Sequence, residues 1–150
     1  MKALFLSMLF TISSIHAPVF ADSQELQRKS WIEFLEIIEG MDSIRFSLIA
    51  LPNIKCFPCS DVILGKDGMT PANEFFKDFR SMTFPDNLLL RLKTGETIYQ
   101  QGMRDGAPFF EVLVTTIKPG EVDNFDGMQH AFMFKLENNE YKFSGLSTIP

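Results

Sequence analysis

Few residues in this 150-residue chain have both the type and the spacing for chemistry. Cys56-Phe57-Pro58-Cys59 is the one local motif of that kind. Two thiols at this spacing can close a disulfide, and an oxidising compartment favours that state. Thiol exchangers use the same spacing, with a helix N-terminus lowering the attacking thiol's pKa. No strand-then-helix frame surrounds Cys56 and Cys59, so a structural disulfide is the leading expectation and thiol–disulfide exchange the alternative. Ser60 stands where c-type haem attachment needs His, and one cysteine pair falls short of a four-ligand zinc site. No cofactor and no metal are expected. The remaining candidates are His130, Tyr99 and Tyr141. The ordinary pKa of His130 suits proton transfer near neutrality, and the tyrosine hydroxyls could polarise a ligand carbonyl. The bland readings are a hydrogen-bonded core histidine and rings that reach water from an apolar face. No nucleophile elbow of the G-x-S-x-G type occurs. Glu121, Asp123 and Asp126 lack calcium-loop spacing and read as solvated loop charge.

The element that must position His130 and Tyr141 is the terminal strand pair, HAFMFKLENNEYKFSGLST, from His130 to Thr148. Asn138-Asn139 between two alternating runs marks a hairpin. That turn predicts Leu136 opposite Tyr141, Phe134 opposite Phe143, Phe132 opposite Gly145 and His130 opposite Ser147, which collects the rings on one face. Helices must then cover that face. Leu26, Trp31, Phe34, Leu35 and Ile38 recur at helical spacing, with Asp22 or Ser23 as cap and Gly40 as stop. Met41 to Ile54 fits a helix or a strand, either one ended by Pro52. Cys56 to Gly68 is rich in turn residues. Thr70-Pro71 predicts a helix start, with Ala72, Phe75, Phe76 and Phe79 on its apolar face and an end by Phe84-Pro85. From Asn87 the spacing turns to alternation: a strand over Leu88–Lys93, another at Thr97–Tyr99, then a central strand over Phe109–Ile117, apolar on both faces. The expected fold class is α+β, with N-terminal helices packed on a curved, mostly antiparallel sheet of four or five strands.

Met1 to Ala21 reads as a cleavable export signal: Lys2, an apolar run from Ala3 to Ile15, and Val19-Phe20-Ala21 as a small-x-small site. The run is too short and interrupted for a membrane span. Residues 22–150 are then expected to form a single domain, periplasmic or secreted. With Lys2 removed, 13 basic residues face 19 acidic ones, a formal charge of about −6. General nucleic-acid binding, which needs a concentrated basic surface, is thereby disfavoured. Phenylalanine is abundant, 16 in the whole chain. Such a stock either fills an irregular core or lines an apolar pocket.

An amphipathic first helix, a short second helical region and a sheet ending in NNEYKFSGLS resembles the cystatin-like α+β roll of the nuclear-transport-factor-like superfamily. The resemblance implies a cone-shaped cavity between helices and sheet, with His130, Tyr99 and Tyr141 as pocket candidates; the superfamily's acid and tyrosine pattern has no match here residue by residue. Three functions follow as expectations. The first is non-catalytic binding of an apolar small molecule or a protein partner, a second copy included, through an apolar pocket or sheet face. The second is a small-molecule isomerase or lyase with His130 as proton acceptor. The third is exchange at Cys56/Cys59. Enzyme and binding readings both stand at the level of sequence.

Overall fold

The computed structural model describes residues 19–57, 59, 68–79, 88–124 and 126–149. Most of the expected export signal, residues 1–18, therefore lies outside the described residues, as do 80–87, where the Phe84-Pro85 helix end was placed. Helix α1 spans Val19–Gly40, so Asp22 and Ser23 sit inside it rather than capping it. Its termination is not at a left-handed glycine. Met41 takes φ 52°, its N–H bonds to the Ile38 carbonyl, and the Asp42 N–H reaches back to Ile37. This is a Schellman ending with methionine in the position glycine usually holds. Asp42 then caps α2, Ser43–Ile49, by accepting from the Arg45 N–H at 2.9 Å.

The ambiguous stretch before Pro52 is both things in succession. Helix α2 gives way to strand β1, Ala50–Cys56, which runs straight through Pro52. The proline is tolerated because β1 pairs with the last strand at Ala50 and again from Lys55, with an irregularity between where the missing N–H breaks no ladder bond. Strand β2, Met69–Pro71, pairs antiparallel with β1 and leads into α3, Ala72–Asp78. Pro71 is the residue before the helix rather than its first position, and Thr70 is a buried strand residue rather than a cap.

The Leu88–Lys93 run is helix α4, Leu88–Thr94, not a strand. Leu88 and Leu92, one turn apart, are its buried residues; a Leu-rich string satisfies alternation and helical spacing equally, and packing of that one side decides it. Strands β3 (Thr97–Arg104), β4 (Ala107–Ile117), β5 (Met128–Glu137) and β6 (Glu140–Ile149) follow. The fold is α+β, but its sheet holds six strands among the described residues rather than four or five, in the order β2-β1-β6-β5-β4-β3. All neighbouring strands are antiparallel except β1 and β6.

The Asn138-Asn139 turn forms with positive φ at both residues, 51° and 63°, the twist a two-residue hairpin requires. Leu136 faces Tyr141 and Phe134 faces Phe143, as the turn predicts. Beyond them the pairing slips. Ser144 is an extra residue, so Met133 meets Gly145, Phe132 meets Leu146 and His130 meets Thr148. The bulge re-aims the strand: Phe143 and Leu146 both enter the core, where strict alternation would have turned Leu146 outward and Ser147 inward.

Helices lie on one face only, and that face is filled by rings. Phe34 is in contact range of Phe132, Phe134 and Phe143, with centroids 5.6, 5.8 and 4.7 Å away. Phe46 links α2 to Phe76 of α3 at 4.7 Å, and Phe110 stacks on Phe134 at 4.6 Å. Most of the phenylalanines among the described residues are thus core.

Candidate functional site

Several concavities remain beside that core, and His130, Tyr99 and Tyr141 do not share one. His130, on the helix-facing side of β5, is fully buried. Its Nδ1 lies 2.8 Å from the Thr116 hydroxyl, and burial pulls its pKa down from 6.5 to about 4. It is neutral near pH 7 and shut away from any solute. Tyr99, on β3, lies at the mouth of a cleft between α1, α4 and the sheet edge. Tyr141, on β6, stands edge-on to Phe110 at 4.7 Å and lines a smaller groove with Lys29, Leu48 and Lys142. Both tyrosines contact Phe110, from strands that β4 and β5 separate. Cys56 and Cys59 are joined by a disulfide, with Cα atoms 5.5 Å apart, and both are buried. Among the described residues, no group of His, Cys, Asp and Glu could hold a metal ion.

A different opportunity lies on the face of the sheet that no helix covers. There a trough of about 550 Å³ runs over β6, β5 and β4. Beside it Gly145 lets β1 and Met133 approach β6 closely: a Cβ there would meet the Lys55 carbonyl oxygen at 2.4 Å and the Met133 methyl at 2.8 Å. One wall is built around Arg104. Its guanidinium lies over the Phe109 ring at 4.4 Å, donates to Glu111 at 2.8 Å and to the Met133 sulfur at 3.3 Å. Three partners on two neighbouring strands fix one long side chain flat against the sheet. The opposite wall comes from β1, where the Lys55 ammonium sits 4.9 Å from the Phe57 ring centre. Phe57 is 58% exposed and Met69 36%, and Lys135 completes the lining. Isolated exposed apolar residues are ordinary; a ring and a methionine beside a cation-rimmed trough are less so.

The sequence carried half of this site. Alternation along β5 puts Met133 and Lys135 opposite Phe132 and Phe134, so their outward aspect was legible. The β1 wall was not, because Pro52 masked that strand, and the reach of Arg104 across two strands has no local sequence signal.

No family model matches the chain, and no curated protein does. Solved structures do. A quintuple variant of an NTF2-like chain named Rd1NTF2_05 aligns over 85% of this chain and all of its own, at 12% identity and TM-score 0.50. The fold is NTF2-like. A second match, described as a de novo designed protein with curved beta-sheet, covers 87% of this chain and all of its own at 14% identity; its TM-score of 0.40 adds nothing to the argument. At such identities the NTF2-like likeness speaks for architecture alone. Among the described residues, no helix is long and apolar enough to cross a membrane.

Proposed function

We propose that this is an exported, non-catalytic binding domain whose working surface is the open face of its NTF2-like sheet. The observation that carries the reading is the trough itself, walled by Arg104–Phe109 and Lys55–Phe57 on a chain of net charge −5. Lys55, Lys135 and Arg104 outnumber Glu111 and Asp105 in its lining, against the sign of the whole molecule. The occupant such a surface fits is a protein segment presenting apolar side chains between carboxylates. Apolar groups would cover Phe57, Met69 and Met133, and acids would meet Lys55 and Lys135, with complementary charge setting orientation and encounter rate. Export rests on the Met1–Ala21 pattern and agrees with a disulfide, which persists in oxidising compartments.

Neither catalytic reading finds comparable support. The isomerase reading needs His130 in contact with substrate, whereas the ring is sealed and its basicity lowered. Exchange needs an accessible sulfur, whereas both sulfurs' residues are buried.

Selection of displayed random peptides on the purified chain tests the reading. The expected consensus is apolar residues flanked by acids, lost in the double variant Lys55→Glu/Lys135→Glu. A basic consensus, or one unchanged by that double variant, would refute it. A sedimentation result showing a stable dimer whose formation hides Phe57 would instead make a second copy the occupant.

A further inference from the structure

We infer that the cleft between α1, α4 and β3 is a separate binding site for small organic carboxylates with an apolar body. It lies on the helix side of the sheet, so it stands or falls independently of the outer trough. The cleft measures about 650 Å³, within the range of small-ligand sites. Trp31 and Leu92, both nearly fully buried, form its base. Around the rim stand Arg28, Tyr99, Gln27 and Gln101. Among the described residues, the lining contains two basic side chains and no aspartate or glutamate, although the chain as a whole has 19 acidic residues against 14 basic ones.

The two bases differ in availability. Lys93 is held by both carboxylate oxygens of Glu39 at 2.8 Å, whereas among the described residues Arg28 forms no salt bridge. The Tyr99 hydroxyl feels the Arg28 charge, yet burial outweighs that field and raises its pKa, so at neutral pH it keeps its proton and can donate. Gln27 is buried, and its Nε2 donates to Gln101 at 2.9 Å and to Ser23 at 3.2 Å. That bond crosses from α1 to β3 and holds the two walls in register before any ligand arrives. A guanidinium and a phenol above an apolar base can take a carboxylate head by charge-assisted hydrogen bonds and cover its hydrocarbon part. A phosphate dianion would leave its second charge unmatched beside one free cation.

Trp31 is the sole tryptophan, so its fluorescence reports occupancy of this cleft. Octanoate and phenylacetate serve as probes, with octanamide as the uncharged control. The expected result is a saturable change in Trp31 emission with either carboxylate and a weaker one with octanamide. Arg28→Gln should weaken octanoate by about tenfold or more, as expected for loss of a charged hydrogen-bond partner, and leave octanamide unchanged; Tyr99→Phe should weaken it less. Lys135→Glu, on the far face, should change nothing. The proposal is overturned if Trp31 fails to respond to both carboxylates at millimolar concentration, if octanamide binds as well as octanoate, or if Arg28→Gln leaves octanoate binding intact.

Discussion

His130 shows how far one residue's type can mislead about its role. A single histidine in a chain poor in catalytic groups invites an acid–base assignment, and its sequence position beside Phe132 and Phe134 already contained the counter-argument. The same alternation that would aim it into a pocket aims it into a ring-filled core. Its depressed pKa then makes it a stability element with a defined sign. The folded state resists protonating a group that the unfolded chain protonates at its ordinary value of 6.5. Stability is therefore complete above that value and falls as pH drops toward about 4, because the unfolded state binds the extra proton. A shift of this size corresponds to about 3 kcal/mol. Urea denaturation of wild type and His130→Gln across this window should show a steep acid limb in the wild type and a flatter one in the variant. Parallel limbs would show that His130 is not the group responsible. Glu121 acts in the same direction from a different cause: its hydrogen bond to Arg91 draws its pKa to about 2, so that ion pair persists until strongly acid pH. The disulfide spacing of Cys56 and Cys59 was legible; the burial of both residues was not, since it depends on β1 lying against β6.

At the scale of elements, the terminal hairpin was readable because its turn chemistry and its alternation agree. Asn138 and Asn139 accept left-handed φ, and Leu136, Phe134, Tyr141 and Phe143 point one way. The bulge at Ser144 was hidden because nothing in Ser-Gly-Leu marks which residue is extra; packing decides it, by bringing Leu146 into the core. Gly145 is the residue that this arrangement constrains most. Its missing Cβ leaves room for the Lys55 backbone oxygen, which cannot rotate away as a side chain would. Gly145→Ala should destabilise the protein by about 1–3 kcal/mol, read as a lower urea midpoint with an unchanged slope. An unaltered midpoint would mean that β1 can separate from β6 without cost. Helix α4 failed to be read for a different reason: three successive leucines carry no period. Only the burial of Leu88 and Leu92 on one side, with Leu90 left exposed, resolves the matter, and that is a tertiary fact.

The whole molecule is a one-sided assembly. Fold class was accessible from order alone, amphipathic helices followed by strands, while the strand count needed long-range pairing that no local pattern supplies. Trp31, Phe34, Phe46 and Phe75 from three helices interlock with Phe110, Phe132, Phe134 and Phe143 from the sheet, and this fills the middle of the helix-covered face, with the α1–α4–β3 cleft opening beside it. Phe34 is its hub, touching rings of α2, β5 and β6. Phe34→Ala should cost about 3–5 kcal/mol, seen as a lowered thermal midpoint; a loss below 1 kcal/mol would show that the space refills and that the core is less tightly packed than its ring contacts indicate. With the middle of the helix face filled in this way, the bare face of the sheet is the one left to meet a protein partner. The direct test is photo-crosslinking from benzoylphenylalanine placed at Phe57, on the trough, and at Ile44, equally exposed on α2, with the full chain in its host envelope. The account predicts a foreign-protein adduct from the first position alone, abolished by Lys55→Glu/Lys135→Glu. Equal labelling from both positions, survival of the adduct in that variant, or an adduct made only of two copies of this chain would contradict it.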